Sequence, residues 1–387
     1  MTAQFREHND ISKDNVAGNL PFQVSRIEGS DGACELDPED VWESFCRLVE
    51  NVLQGNTDAF ANNHVDAKIH PDQIKCIGIS VQRNSLLLWD KKTSIPQTPV
   101  ITWQDTRSLD LAKKLNHSFI LRSMKAGGHL LYWMTHRSRF KALASYHFKT
   151  ALACIRLKYV LNEKPKLIDD CRKGLLCYGC LETWLLWKLT DGKAFATDVS
   201  CASVTGMYDS FSCKWSHPIL ASLGIPSNIL PDVYPSSYYY GTVRHGPLGN
   251  SSNPTLSIPV TGIIGDAQAA TLTENCLSTC QAKLTLGTGS FLNLNSGSKA
   301  LALISGKKEL NSLEQIKTTK FVNLLSRFPN GQVGIATTVF QDVNTVEIVC
   351  TSEATVVYFS SLTPTCSLLQ IKWNNCINKY SLFCQEQ

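Results

Sequence analysis

The chain has 387 residues, of which 43% are hydrophobic and 18% charged. That is enough to bury a large core and make two domains of ordinary size, and it is not the composition of a fibrous or disordered protein. The formal charge of +4 is spread over the chain without long Lys/Arg runs, so the overall balance gives no sign of a nucleic-acid or membrane surface and suits a small anionic substrate.

The start, MTAQFREHNDISKDNV, has neither an apolar secretory core nor the Arg/Ser-rich makeup of a transit peptide, and no apolar run is long enough to span a bilayer. A cytoplasmic protein is expected. The 15 cysteines are odd in number and scattered through hydrophobic patterns, which points to reduced, buried thiols. CYGC (Cys177 to Cys180) has CxxC spacing but no second CxxC and no nearby His pair, so no metal site is expected from it.

In chain order, the first helix is expected in ELDPEDVWESFCRLVENVLQG. Asp37 can cap it with Pro38 at its first position, and Val41, Phe45, Leu48, Val49 and Val52 form a stripe at helical spacing. KCIGISVQRNSLLLWDKKT reads as a buried strand, Ile77 to Val81, joined at a polar connection to its neighbour, Leu86 to Trp89. PVITWQDTRSLDLAKKLN is a short buried strand running into a helix. Residues 119–162 read as largely helical, with basic residues on one side (THRSRFK) and apolar ones on the other. CLETWLLWKLTDG predicts an amphipathic helix closed by Gly192, and KAFATDVSCASVTGMYD a strand and turn. HPILASLGIPSNILPDV predicts a helix stopped by Gly224 and Pro226. SIPVTGIIGDAQAATL is a β-branched strand followed by small helix formers, and AKLTLGTGSFLNLNSG a strand, glycine turn and strand. Strands alternate with helices, so the fold class is α/β. From about Ser298 the pattern loses any clean period.

In an open α/β sheet, ligands collect outside the carboxyl ends of strands. Three polar clusters sit at such ends: Gln82 to Asn84 after Ile77–Val81, Trp103 to Arg107 after Val100–Thr102, and Gly265–Asp266 after Val260–Ile264. Singly, each has an ordinary structural reading: Arg83 as an ion-pair former, Trp103 as a core aromatic, Asp266 as a helix cap. Together, an Arg, a Trp and an Asp suit a polyol: the guanidinium holds hydroxyl oxygens, the indole packs on C–H groups, and the carboxylate takes a hydroxyl proton. LTLGTGSF offers backbone N–H groups on a glycine hairpin, a concavity of the kind that receives phosphate oxygens.

The motifs GISVQRNSLLLWDKKTSIPQTPVITWQDTRSLDL, LETWLLWKLTDGKAFATDVSCASVTGMYD, LGIPSNILPDV, IIGDAQAA and LTLGTGSFLNLNSG occur in the order and spacing of the FGGY carbohydrate kinases, and within them the sequence resembles the glycerol kinases. The resemblance runs from about Glu35 to Gly297. It implies a ribonuclease H-like (actin/hexokinase-type) fold and phosphoryl transfer from ATP, with Mg2+, to a hydroxyl of glycerol or another polyol; a homo-oligomer would fit the family. By motif position Asp266 resembles the family's general base. Arg83, Asn84, Trp103, Ala267 and Phe291 fall at its substrate contacts, and Gly287, Thr288 and Gly289 resemble its second phosphate loop.

The departures are as specific. Asn84 stands where glycerol kinases have a Glu, Ala267 where they have a Gln, and Ala151 where they have a substrate Tyr. A lost polar contact weakens binding by about 1–3 kcal/mol. Nothing before PFQVSRIEG resembles the family's first phosphate loop, D-x-G-T-T. The expected organisation is a divergent segment (residues 1–34), a polyol-binding N-terminal domain (35–275), the start of the second domain (276–297) and a divergent tail (298–387), as in a chain shortened at both ends. Two functions follow: a glycerol kinase-like enzyme, or an inactive pseudokinase that binds a polyol or a regulatory partner.

Overall fold

The computed structural model describes residues 2–6, 14–19, 24, 26–54, 71, 74–249, 257–274, 276, 282–285, 290–295, 325–327 and 334–340. Two compact units divide the chain: residues 1–121, 147–209 and 214–265 form the first, and residues 122–146, 210–213 and 266–387 the second.

In the first unit β1 (Thr2–Arg6), β2 (Asp14–Asn19), β3 (Arg26–Glu28) and β4 (Cys34–Leu36) precede α1 (Pro38–Gln54). The α1 start is as expected: Asp37 Oδ1 accepts from the amides of Glu39 and Asp40 at 2.8 and 3.1 Å. Val41, Leu48 and Val52 are buried, and Phe45 and Val49 pack against the core. Next come β5 (Ile77–Val81), β6 (Leu86–Asp90), β7 (Val100–Ile101) and α2 (Leu109–Asn116). The chain continues through α3 (Phe119–Thr135) and α4 (Ser138–Ala144), most of which belong to the second unit. It returns through α5 (Ala153–Glu163), α6 (Pro165–Arg172), β8 (Leu176–Cys180), α7 (Leu181–Leu189), β9 (Ala196–Asp198) and α8 (Val199–Ala202). The hairpin β10 (Tyr208–Asp209) and β11 (Lys214–Trp215), α9 (His217–Leu223), β12 (Asp232–Tyr234), β13 (Ser237–Thr242) and β14 (Pro259–Gly265) complete this unit. Gly224 ends α9 at φ 64°, a left-handed conformation that Gly adopts without strain.

Two sheets matter for the site. One has the order β3-β4-β7-β6-β8, and the other β13-β14-β5, in which β14 and β5 are parallel with Gly265 opposite Val81. Three expectations are corrected here. The strand Ile77–Val81 exists, but its neighbour is β14; Leu86–Asp90 pairs with β7 and β8 in the other sheet, because the connection turns through Asn84 at φ 64°. That strand is not buried on both faces either: Ile79 is buried, whereas Gly78 and Ser80 are exposed. The helix α7 is not amphipathic, since every residue from Leu181 to Leu189 except Lys188 is buried; Trp184 and Trp187 pack against Trp89 at centroid distances of 5.2 and 5.8 Å. In the segment read as strand and turn after Lys193, the turn contains the short helix α8.

In the second unit α10 (Asp266–Thr273) is followed by β15 (Ala282–Thr285), β16 (Ser290–Asn295), β17 (Leu325–Arg327) and β18 (Gly334–Phe340), which form an antiparallel sheet in the order β15-β16-β18-β17. The expected hairpin is β15–β16. Two strands from beyond Ser298, where the sequence shows no period, join the same sheet.

Candidate active site

The parallel strands β5 and β14 end level with each other, and one short element ties both ends. Asp198, fully buried, caps α8: its carboxylate accepts from the Ser200 and Cys201 amides at 2.9 Å each and from Ser236 Oγ at 2.6 Å. Three donors hold that carboxylate in place, and with it the first turn of α8. Ser200 then reaches both strand ends. Its Oγ accepts from the Gly265 amide at 2.8 Å, and its carbonyl accepts from Arg83 Nη1 at 3.5 Å. The half-buried Arg83 is thereby oriented at the mouth of the sheet, and Asp266 is the next residue after the tethered Gly265. Asn84 is buried in its positive-φ turn, and its Oδ1 finds no hydrogen-bond partner among the described residues.

The Trp103–Arg107 loop follows β7 in the other sheet, and its polar residues divide. Asp105 is buried and accepts from the Cys34 amide at 3.0 Å, the Arg107 amide at 3.1 Å and Arg107 Nε at 2.9 Å; Arg107 also pairs with Glu35. Beneath them lies Arg156, 1% exposed, which donates to the carbonyls of Thr150 (2.9 Å), Ala151 (3.0 Å), Ile101 (3.1 Å) and Thr102. Burial lowers its pKa, and four carbonyls in the fork of the guanidinium compensate part of that desolvation. Trp103, by contrast, is 39% exposed, a free aromatic face at the end of a strand and not the core aromatic of the alternative reading. Ala151 serves this network through its backbone.

Asp266 and Ala267 begin α10 in the second unit. Asp266 is exposed, and its Oδ1 accepts from the Ala267 amide at 2.7 Å. Sequence reasoning missed Lys283: it is 5% exposed, burial lowers its pKa, and the charges of Glu274 and Asp266 act in the opposite direction. A buried ammonium within electrostatic reach of the candidate base had a signal in the sequence, a Lys on an otherwise apolar strand just before the glycine turn. Phe291 lies on β16 opposite Thr285; its side chain lies outside the described residues, as do Gly287, Thr288 and Gly289.

Glu182, at the start of α7, is a second group that sequence reasoning missed. Burial pushes its carboxyl up to about 7. Oε1 accepts from Thr197 at 2.8 Å, whereas Oε2 has no hydrogen-bond partner among the described residues. CYGC is interior: Cys177 and Cys180 are buried on β8, and burial raises both thiols, Cys177 to about 11. Neither has thiolate character at neutral pH. Among the described residues no group of three His, Cys, Asp or Glu is placed to hold a metal ion, so they do not by themselves compose a Mg2+ site.

Comparison with known proteins identifies the family. The model of the FGGY family of carbohydrate kinases, N-terminal domain, matches residues 12–273. Glycerol kinase 5 of Danio rerio is 32% identical over 305 residues, covering 79% of this chain and 54% of the relative. Glycerol kinase 1 of Clostridium tetani is 32% identical over 284 residues, 73% of this chain and 50% of the relative. The chain spans about half the length of the curated relatives it matches. Among solved structures, Plasmodium falciparum glycerol kinase with ADP superposes with a TM-score of 0.64 at 22% identity, over 85% of this chain and 56% of that one. A xylulose kinase from Brucella ovis gives 0.59 at 20%, over 78% and 53%. At those identities the likeness is one of fold.

Proposed function

Since the chain belongs to the FGGY family of carbohydrate kinases, we propose that it is the polyol-binding part of a glycerol kinase-like enzyme that transfers the γ-phosphoryl group of ATP to a hydroxyl of glycerol. The observation that carries the reading is the Ser200 tie: one residue fixes the guanidinium of Arg83 and the amide of Gly265, the residue before Asp266. In this reading the guanidinium of Arg83 donates N–H hydrogen bonds to the hydroxyl oxygens of the polyol, and the exposed indole of Trp103 covers its C–H groups. The attacking hydroxyl oxygen forms a bond to the γ-phosphorus, its proton passes to the Asp266 carboxylate, and the bond from the γ-phosphorus to the bridging oxygen breaks to release ADP. Phe291 walls the carbon side, and the backbone amides of Gly287, Thr288 and Gly289 take phosphate oxygens. Such chemistry rests mainly on positioning and charge neutralisation, which fits a base held by backbone tethers. ADP bound to the Plasmodium relative supports a nucleotide as the second substrate.

Asn84 supports a second reading, a chain that binds a polyol without phosphorylating it. Its side chain is buried, so the polar contact that a Glu supplies at this motif position in glycerol kinases is not turned outward. Incubation of the chain with glycerol and ATP separates the two. Turnover that falls about 10²–10⁴-fold in Asp266→Asn, the range for loss of a general base, supports the kinase. Saturable glycerol binding without turnover supports the second reading, and absence of both removes both readings for glycerol.

A further inference from the structure

The helix α3 turns a large apolar surface outward. Phe119 is 84% exposed, Trp133 74%, Met134 64%, Leu130 57% and Ile120 54%. Each is an ordinary surface residue alone, but on one helix they are not scattered. Taking 3.6 residues per turn, Phe119, Ile120, Leu130, Leu131 and Met134 share one arc, flanked by Trp133. The packed face lies opposite, where Leu121 and Gly128 are buried. A Cβ at Gly128 would lie 2.8 Å from the Ala144 amide nitrogen, so glycine lets α3 and α4 approach as a helical hairpin. Lys141 of α4 lies over the Tyr132 ring of α3 at 6.0 Å.

The charge of this segment is one-sided. Residues 119–146 carry Arg122, Lys125, Arg137, Arg139 and Lys141, with His129 and His136, and no Asp or Glu. On α3 the basic positions Arg122, Lys125 and His129 fall between the packed face and the apolar arc. The small net charge of the whole chain hides this local excess. An apolar arc with aromatic and aliphatic side chains beside a purely cationic border is the pattern of a helix lying in a membrane interface. Spanning is excluded for this helix: α3 has 17 residues and contains Arg122 and Lys125, and among the described residues no helix is long and apolar enough to cross a membrane.

We propose that the α3–α4 hairpin docks this chain on an anionic lipid surface, with Leu130, Trp133 and Met134 entering the headgroup region and Arg122, Arg137 and Arg139 facing acidic headgroups. A protein partner or a second copy would also cover apolar residues, but a hairpin that carries five Lys/Arg and no carboxylate of its own favours a uniformly anionic partner. The test is co-sedimentation of the full chain with vesicles of phosphatidylcholine alone or mixed with phosphatidylserine, alongside light scattering without lipid. Binding is expected to the phosphatidylserine vesicles and to weaken with salt. It should fall at least tenfold in R137E/R139E, since each basic residue near such a surface contributes about one kcal/mol, and to background in W133E/M134E. All four positions are exposed, so unchanged melting curves will confirm that the variants fold. Lack of binding at low salt, binding indifferent to both variant pairs, or a dimer in solution that W133E/M134E dissolves would each overturn the proposal.

Discussion

Two strand ends in the first unit carry polar residues of the same kinds and use them differently. After β7, Asp105, Arg107 and Arg156 are spent on one another and on carbonyls, and Asp105 and Arg156 are fully buried. After β5 and β14 the buried work is delegated to Asp198 and Ser200, and Arg83 and Asp266 keep solvent-facing surface. The two ends thus differ in burial: the β7 end takes Asp105 and Arg156 out of water, whereas the β5–β14 end leaves Arg83 and Asp266 with surface that a ligand can meet. In the β7 loop Trp103 also keeps solvent-facing surface.

The contrast is open to test in order of effect. Arg156→Ala and Asp105→Ala leave buried partners unsatisfied, and each should lower the unfolding free energy by about 3–5 kcal/mol in denaturant titrations. A loss below about 1 kcal/mol would mean the β7 loop is not a scaffold. Asp198→Ala removes a buried cap with three donors and should cost about 2–4 kcal/mol. It should also loosen the tether at Gly265, read as faster amide exchange along β14; unchanged exchange would disconnect the cap from the site.

Glu182 gives a pH signature. Its carboxyl is raised by burial in the folded state to about 7 from an ordinary value of 4.5, so the folded chain holds a proton that the unfolded chain has released between those values. Stability then falls as pH rises from about 4.5 to 7 and levels off above. Glu182→Gln keeps the Thr197 hydrogen bond and should flatten that slope, leaving the variant more stable by about 3 kcal/mol at pH 8. A melting temperature with the same pH slope in both proteins would contradict it. Smallest in stability, Asp266→Asn and Trp103→Ala should shift unfolding by less than about 1 kcal/mol while weakening turnover and glycerol affinity respectively; a large stability loss would reassign either residue to the scaffold.

How much of this was legible in the sequence follows the same division. The cap and stripe of α1, the left-handed stop at Gly224 and the β15–β16 hairpin are local, and the residues that specify them are adjacent. The pairing of β5 is not local: its partner β14 lies nearly two hundred residues on, and the turn at Asn84 sends β6 to another sheet. The helix α7 misled because Glu182 and Thr183 are polar yet buried, a choice only tertiary packing reveals. Arg83, Trp103 and Asp266 could be named as candidates from their strand-end positions and from family motifs. Asp198 and Ser200 could not, because their role is a set of contacts to residues far along the chain. The exposed arc of α3 was visible as a periodicity, but which of its faces is packed was not.

The most direct test is calorimetric titration of glycerol into the full chain and into Arg83→Ala at matched stability. The Ser200-tethered arginine predicts saturable binding heat in the parent and its loss in the variant. Equal heats in the two proteins, or none in the parent, would contradict the assignment of this strand end to a polyol.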